Sequence, residues 1–311
     1  MEIGVEASPE TLDEEKVAVL RQLGFRRLSL GIQSFVEAEL RHVNRRFRFA
    51  QNRAAVATIG RARFPFFNID LIYGLPGQTE ASWRYSLEAA LDSPANSLFL
   101  YPLYVRPLTG LDRRGDLPPV PSPSEMGRLY DLALDRLTTA GFRQVTMRQF
   151  RRDPADRGCD DAEYRCQRDG LLGLGAGARS YTRGLHYSTP WKMVARNIRA
   201  AVADYEGAWR SGDALIRHGF ALDADEQRRR FVILSLLYDG LDCGAFAETF
   251  AADARSLFAA QWEALFAESC VCDDGAVLRL TPRGVRHADV VGHLFFSERV
   301  RRLADSFEYD R

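Results

Sequence analysis

One stretch of sequence, Asn68–Thr79, constrains the fold more than any other part of the chain. The apolar run Phe66–Tyr73 predicts a buried strand, and the Gly74–Gly77 turn followed by Thr79 predicts a capped helix after it. Asp70 places an ionisable carboxyl group inside this apolar run. A buried carboxylate is costly unless it is paired or functional, and α/β proteins bind ligands at the carboxyl ends of their strands. Asp70 is therefore a candidate site residue.

The same alternation of strands and helices extends over the first half of the chain. Alternating or continuous apolar runs predict the strands Ile3–Ala7, Arg27–Gln33, Phe66–Tyr73 and Ser97–Val105. Apolar stripes at helical spacing predict the intervening helices, which include Phe35–His42, Ala50–Ala62 and Glu80–Leu91. A helix Ser124–Ala140 and a strand Phe142–Met147 continue the pattern. This order predicts an α/β fold with a parallel sheet, either open or closed as a barrel.

The character of the chain changes after Trp191, where helical patterns dominate. Residues 270–280 predict a hairpin around Asp274–Gly275, and a helix capped by Thr281 follows. Helices, a small wing and a further helix are typical of a winged-helix module. We therefore predict two domains, 1–190 and 191–311, with a Gly-rich segment at 170–181 that indicates close backbone approach.

Charge and hydropathy exclude several classes of partner. Lys+Arg and Asp+Glu balance at 42 each, so no long-range field favours nucleic acid, and the wing is better suited to a structural or substrate-covering role. No apolar run reaches the length of a transmembrane helix, and no signal peptide follows Met1. We expect a cytoplasmic protein without membrane or nucleic-acid partners.

The five cysteines, at an odd count and without a CxxxCxxC motif, predict neither a disulfide framework nor a metal site. Cys270 and Cys272 could hold a metal, but an isolated pair of cysteines is more often structural. The histidines show no metal-binding spacing. No catalytic residue is identified by spacing alone.

Strand parity sorts the side chains of the predicted sheet onto two faces. In each of the first three strands one face is aliphatic, and the other carries polar or small side chains that include Glu6, Gln33 and Asp70. Three neighbouring strands with the same asymmetry favour a polar ligand site, although the groups could also satisfy one another in a wet barrel. Arg45 could reach over the site and hold a carboxylate, or it could be an ordinary exposed arginine.

Four segments in this order and spacing resemble one family, the oxygen-independent coproporphyrinogen III oxidases and their relatives in the radical S-adenosylmethionine (SAM) superfamily. The matching segments are Glu2–Pro9, Leu28–Phe35, Val43–Arg45 and Asn68–Thr79. Residues 173–181 resemble the Gly-rich segment of that family, and the C-terminal helices with their hairpin resemble its C-terminal domain. The resemblance spans most of the chain.

The resemblance implies that the polar strand ends hold S-adenosylmethionine against a [4Fe–4S] cluster. It places Glu6 and Asp70 at the ribose or amino-acid part, Gln33 and Arg45 at the remainder, and Tyr104 near the adenine. Arg179 falls where relatives often have His or an apolar residue, which indicates a separate branch and leaves the substrate open.

One departure from the family pattern concerns the cluster. The CxxxCxxC loop of the family follows its first barrel strand, whereas this chain starts at the third. The resemblance therefore implies a partial (β/α) barrel that lacks its first two strands, with a C-terminal helical domain, and cluster ligands that are not in this chain. The chain is expected to be a fragment of the intact enzyme.

Three functions remain open. The intact protein is expected to be a radical enzyme that oxidises or modifies a small molecule such as a tetrapyrrole, with flavodoxin or ferredoxin as electron donor. Haem-trafficking chaperones of the same family are the alternative, with His186, His218 and Cys243 as weak candidates for axial ligands. A cluster-free partner protein is the third.

Overall fold

The structure of the protein is a computed structural model that describes residues 3–43, 49–105, 111, 114–152, 166–189, 195–213, 216 and 218–306. The chain divides into two compact units, residues 1–158 and residues 159–311. No helix in these described ranges is long and apolar enough to cross a membrane.

The first unit is built on a six-stranded sheet in the order β1-β2-β3-β4-β6-β5. Its strands are β1 (Gly4–Ala7), β2 (Arg27–Gln33), β3 (Phe66–Tyr73), β4 (Ser97–Pro102), β5 (Arg143–Gln144) and β6 (Gln149–Arg151). The first four strands are parallel, as predicted. Strand β1 is an edge of this sheet in the described chain.

Five helices and a 3₁₀ turn connect the strands of the first unit. They are the 3₁₀ turn Pro9–Thr11, α1 (Glu14–Gln22), α2 (Glu37–His42), α3 (Phe49–Ala62), α4 (Glu80–Leu91) and α5 (Pro123–Thr139). Thr79 caps α4 by accepting the Ser82 amide, as its position after the turn predicts. The aliphatic face of the sheet packs on these helices, and Leu30, Ile69 and Trp83 are completely buried there.

The sheet departs from the prediction at its far edge. The expected strand Phe142–Met147 is replaced by two short strands, β5 and β6, and β6 pairs antiparallel with both β4 and β5. Backbone bonds from Val145 and Thr146 to the Gln149 oxygen turn the chain back after two strand residues. The sheet is therefore mixed. Within the described residues it is open and does not close into a barrel.

The second unit contains two three-stranded antiparallel sheets and a group of helices. The strands are β7 (Arg179–Tyr181), β8 (Leu185–Ser188), β9 (His218–Ala221), β10 (Leu241–Asp242), β11 (Val271–Asp273) and β12 (Val277–Leu280). The helices are α6 (Cys166–Asp169), α7 (Ala195–Ser211), α8 (Ala224–Leu237), α9 (Cys243–Phe250), α10 (Ala254–Leu257), α11 (Ala259–Ala267), α12 (Pro282–Arg286), α13 (Ala288–Leu294) and α14 (Glu298–Asp305).

The predicted hairpin is present as β11 and β12, and Gly275 in its turn has a φ of +93°. The sheet β7-β8-β9 was not predicted, because its short strands lack a clear alternation. This sheet links the Gly-rich segment to residues 218–221. The two compact units divide at 158/159, so the predicted domain boundary at 190/191 falls within the second unit.

The Gly-rich segment makes the close backbone approach that its composition indicates. A Cβ atom at Gly173 would lie 2.3 Å from the backbone oxygen of Arg179. The Ser180 hydroxyl accepts the Gly173 amide at 3.0 Å. The segment thus packs tightly against β7 of its own unit.

Candidate functional site

A polar network lies on the non-aliphatic face of β2 and β3. The side-chain amide of Asn68 donates to Asp70 Oδ1 at 2.7 Å and to Ser29 Oγ at 2.7 Å, and the Ser29 hydroxyl donates to Asp70 Oδ2 at 3.3 Å. The network forms because Asn68 and Ser29 are partners in the parallel register of the two strands. Asp70 was predicted as a site residue from the sequence, but the two residues that orient it were not. All three are polar side chains of one face, which strand parity could have revealed.

The oxygen of the Asn68 side chain takes no part in the hydrogen bonds of this network. Asn68 Oδ1 is buried and has no hydrogen-bond partner among the described residues. A buried polar atom without a partner costs about 1–3 kcal/mol, so such atoms are rare and call for an explanation. An acceptor of this kind, beside the Asp70 carboxylate, suits a ligand that brings hydrogen-bond donors.

Glu6 and Gln33 are aligned with this network by strand register. Glu6 is the partner of Ser29 across β1 and β2, and it is exposed. Gln33 ends β2 and is 9% exposed. Glu6, Ser29 and Asn68 therefore form one row across three strands, and the end of β2 lies beyond that row.

Gln33 has an unusual backbone that turns its side chain back over the sheet. Its φ is +70°, in the left-handed region that non-glycine residues rarely adopt, and the register shifts between Gly31 and Gln33. A Cβ atom at Gly31 would lie 2.8 Å from Gln33 Nε2. The Gln33 amide therefore lies over Gly31, which pairs with Asp70. Strain of this type clusters at functional sites.

Tyr104 lies at the end of an aromatic and guanidinium cluster. Its phenol oxygen accepts a hydrogen bond from Arg148 Nη2 at 3.1 Å, and Tyr104 is 53% exposed. The Arg148 guanidinium lies 5.6 Å from the ring centroids of both Tyr101 and Tyr104. Tyr101 in turn stacks on Phe99 at 5.9 Å. The partners of Phe99 and Tyr101 in β3 are Asp70 and Ile72, so this cluster borders the polar face.

Arg45 lies outside the described residues. Arg179 belongs to the second unit, where it is exposed on β7.

A second buried network, which was not predicted from the sequence, lies behind the strand ends. Glu39 on α2 is 3% exposed, and Gln78 in the turn after β3 is 7% exposed. The Gln78 amide donates to Glu39 Oε2 at 3.1 Å. Glu39 lies on the buried side of a short helix, next to Leu40, and belongs to no sequence motif. The sequence therefore gives no local signal that separates it from the exposed Glu37.

The edge of the first sheet carries a groove. A cavity of about 480 Å³ lies beside β1 and α1, lined by apolar side chains that include Val5, Leu12, Val19 and Leu20 and by charged side chains of α1 and its N-terminus. Glu6 also borders this groove, whereas Gln33 and Asp70 do not. Glu6 is thus shared between the sheet edge and the polar face.

The described residues hold no group of three or more His, Cys, Asp or Glu side chains that could bind a metal ion. Cys243, Cys270 and Cys272 are free thiols, and burial raises the pKa of the Cys243 thiol. A [4Fe–4S] cluster is held by cysteine thiolates. This donor set therefore does not fit such a cluster.

Of the three candidates for haem ligation, His186 is poorly accessible. Its Nε2 atom is buried without a hydrogen-bond partner among the described residues, and its ring packs edge-on against Tyr181 at 4.9 Å. Burial, together with the nearby Arg230 charge, lowers the pKa of His186 to about 4. His218 is exposed, and Cys243 is partly buried.

Two family models match this chain in the expected order. Residues 1–90 match the radical SAM superfamily, and residues 222–287 match the HemN C-terminal domain. The predicted resemblance to the HemN-like radical SAM family is confirmed by these two matches.

Individual relatives carry two different names. The oxygen-independent coproporphyrinogen III oxidase of Pseudomonas aeruginosa is 29% identical over 304 residues, which are 91% of this chain and 61% of that protein. The heme chaperone HemW of Synechocystis sp. is 32% identical over 192 residues, which are 61% of this chain and 46% of that protein. The chain therefore spans less than two thirds of the length of these two relatives.

A solved structure shares the fold over nearly the whole chain. The coproporphyrinogen III oxidase HemN of Escherichia coli, described as a radical SAM enzyme, superposes with a TM-score of 0.74 at 25% identity. The superposition covers 94% of this chain and 69% of that one. The α/β architecture of this HemN-like chain is thus that of a solved radical SAM enzyme.

Proposed function

We propose that the polar face of β1–β3 is the S-adenosylmethionine-binding part of a HemN-like radical SAM enzyme. The observation that carries this proposal is the buried Asn68 Oδ1 beside Asp70, which has no hydrogen-bond partner among the residues that the structure describes. S-adenosylmethionine carries an ammonium group and two ribose hydroxyls, all of which are hydrogen-bond donors. Acceptors that are already oriented and partly desolvated suit these donors better than water does.

Each predicted site residue has a role in this proposal. Asp70, held from both sides by Asn68 and Ser29, would accept donors of the ribose or amino-acid part, and the exposed Glu6 would accept from the other end. The Gln33 side-chain amide, which lies over Gly31, would contact the ligand beyond the row formed by Glu6, Ser29 and Asn68. Tyr104, with its backbone near the adenine, would border the nucleoside. Arg45 and Arg179 remain proposed cofactor-binding residues that rest on the resemblance alone.

The described residues do not fit a [4Fe–4S] cluster. When it is bound and reduced, such a cluster allows S-adenosylmethionine to supply a 5′-deoxyadenosyl radical. We propose that its thiolate ligands are not residues of this chain. The residues described above have a narrower task, which is to bind and orient the nucleoside and its amino-acid tail.

The reaction class follows from the relatives. Proteins named coproporphyrinogen III oxidase match up to 91% of this chain, so the proposed activity is oxidation or modification of a small molecule, with a tetrapyrrole as one candidate. Flavodoxin or ferredoxin is the proposed electron donor, and the cytoplasm is the proposed location. The proposed domains are a partial (β/α) barrel at 1–190 and a helical domain with a small wing at 191–311.

Calorimetric titration of the chain with S-adenosylmethionine tests the proposal. We expect saturable binding that weakens about tenfold, or 1.4 kcal/mol, in Asp70→Asn. Asp135→Asn, a change of the same type at an exposed position on α5, is the matched control and should bind as the unsubstituted chain does. Equal affinities for Asp70→Asn and the unsubstituted chain would contradict the assignment of this face.

The chaperone alternative rests on the relatives named HemW, which match about three fifths of this chain. Its test is a hemin titration followed by absorption in the Soret region. Binding that is lost in His218→Ala would favour this function, because His218 is the exposed histidine of the three candidate ligands. S-adenosylmethionine binding that is weakened by Asp70→Asn, together with hemin binding that is unchanged by His218→Ala, would favour the enzyme.

A further inference from the structure

The Glu39 carboxylate lies where the loops at the ends of β2 and β3 meet. It accepts three hydrogen bonds, from the Ser34 hydroxyl at 2.6 Å, from the Gln78 amide at 3.1 Å and from the Ser82 hydroxyl at 2.5 Å. Glu39 is 3% exposed, so these bonds form in a desolvated setting. The three donors come from three different segments of the first unit, and Glu39 is their common partner.

The bond to Gln78 connects Glu39 to the end of β3. Gln78 Oε1 accepts the backbone amide of Gly74 at 2.6 Å, and Gln78 Nε2 also reaches the Ile72 oxygen at 3.3 Å. Gly74 has a φ of +84°, so the chain turns sharply at this point. Through Gln78, Glu39 therefore holds the turn that ends the strand of Asp70.

The bond to Ser34 connects Glu39 to the end of β2. The Ser34 oxygen that donates to Glu39 also accepts the Val36 amide at 2.9 Å, and the Phe35 amide donates to Ser86 Oγ at 3.1 Å. Ser34 directly follows Gln33, whose left-handed backbone turns its amide over Gly31. Fixing Ser34 therefore fixes the exit of the chain from this strained residue.

Glu39 makes these contacts without a charged hydrogen-bond partner in the described chain. A carboxylate in such a setting is stabilised by charge-assisted bonds, which are stronger than bonds between neutral groups, and removing it leaves several buried donors unsatisfied. A neutral side chain of equal size could fill the same space. The negative charge of Glu39 therefore separates two roles: a carboxylate that connects the loops by hydrogen bonds, and a side chain that only fills space.

We propose that Glu39 is a positioning residue for the ligand site: its carboxylate ties the loop after β2 to the turn after β3 and so holds Gln33 over the row of Asp70. The ligand-binding consequence rests on the function proposed above. The tie between the loops does not, because it is a property of the protein without ligand.

Hydrogen exchange of the ligand-free chain tests the tie. In Glu39→Gln we expect the amides of Gly74, Phe35 and Val36 to exchange about tenfold faster, since local opening becomes easier, while amides of α5 are unchanged. The matched control is Glu37→Gln on the same helix, which removes an exposed ion pair to Arg41 at 2.7 Å and should leave exchange unaffected. Unchanged exchange in Glu39→Gln overturns the proposal.

A double-mutant cycle in S-adenosylmethionine affinity tests the positioning of Gln33. Glu39→Gln should weaken binding about fivefold in the unsubstituted chain but less than about twofold in the Gln33→Ala background, because the two changes act on one contact. Equal losses in both backgrounds would mean a general structural effect and would overturn the positioning role. Ser34→Ala, which removes one donor and keeps the carboxylate, serves as a milder variant should Glu39→Gln not fold.

The two experiments separate the two proposals. If the unsubstituted chain binds no S-adenosylmethionine, the proposed function fails, and the exchange experiment alone decides whether Glu39 ties the loops. If binding occurs and the cycle is additive, the proposed function stands and the positioning role fails.

Discussion

Asn68 donates its side-chain amide to Asp70 at 2.7 Å, two residues along the same strand, while its own side-chain oxygen stays buried without a partner among the described residues. The pair thus combines an oriented carboxylate with an unused acceptor. If this position served only packing, an apolar residue would make the strand more stable. Ile69 and Leu71, which are fully buried on the opposite face, are residues of this kind.

Replacing Asn68 by Leu separates the needs of folding from those of binding. The change removes the orphaned oxygen, so we expect the free energy of unfolding to change by less than about 1 kcal/mol, since the lost bonds are offset by relief of an unsatisfied group. Ligand affinity should fall about tenfold. Denaturant titration and calorimetry of the same sample measure both quantities, and loss of stability with unchanged affinity would assign Asn68 to folding.

The contact between Arg148 and Tyr104 gives a second prediction. Arg148→Met removes the hydrogen bond of 3.1 Å and the stacking on Tyr101, so Tyr104 should become mobile and S-adenosylmethionine should bind about threefold more weakly. Arg152→Met is the matched control, because Arg152 stacks on Phe142 and bonds the Ala140 oxygen elsewhere on this unit. If both variants lose affinity equally, the effect comes from net charge rather than from Tyr104.

The environment of His186 predicts how stability depends on pH. Burial lowers its pKa to about 4 in the folded protein, whereas an unfolded histidine titrates near 6.5. The groups around it are Tyr181, Phe220 and the cationic Arg230, which do not favour protonation. Between these two pKa values the unfolded chain binds more protons, so stability should fall as the pH drops from about 6.5 towards 4.

His186→Phe tests this dependence by removing the titrating group. Thermal unfolding midpoints between pH 4 and 7.5 should depend less on pH in this variant than in the unsubstituted chain. His218→Gln, at an exposed position of the neighbouring strand, should retain the original dependence. An unchanged pH profile in His186→Phe would show that other groups control acid stability.

The cysteine pattern predicts the outcome of cluster reconstitution. Anaerobic incubation with iron and sulfide should not produce the broad charge-transfer absorption of a [4Fe–4S] cluster, because the chain has no CxxxCxxC motif and its described residues form no metal site. About four irons per chain after desalting would prove this prediction wrong and would locate cluster ligands among the five cysteines.

Much of the first unit was predictable because its signals are local. The strand Phe66–Tyr73 and the helix Glu80–Leu91 have the predicted bounds, since apolar runs and a Thr cap are read directly from the sequence. The antiparallel strands β5 and β6 were not predicted, because their direction depends on the backbone bonds of Val145 and Thr146 to Gln149. Short strands carry too few residues to show a period.

The site was predictable to the extent that it depends on strand parity. Asp70 and Gln33 follow from the alternation of β3 and β2, but the φ of +70° at Gln33 leaves no trace in residue type. Glu39 was missed for a related reason, because its three donors come from positions 34, 78 and 82, which only the folded chain brings together. Contacts between distant loops carry no local signal.

The edge of the first sheet gives the last prediction. Strand β1 is an edge strand in the described part of the chain, and beside it lies the groove of about 480 Å³, in which Val19 is 45% exposed. Exposed edges template pairing with other chains, so we expect the chain to self-associate as its concentration rises. Val19→Lys replaces an exposed apolar side chain of the groove by a charged one and should shift sedimentation towards the monomer without lowering the thermal midpoint. Val290→Lys, at a 62% exposed position of the second unit, is the control and should associate as before. A chain that sediments as a monomer at all concentrations would mean that this edge is protected in solution, and the β1 edge would then have no part in association.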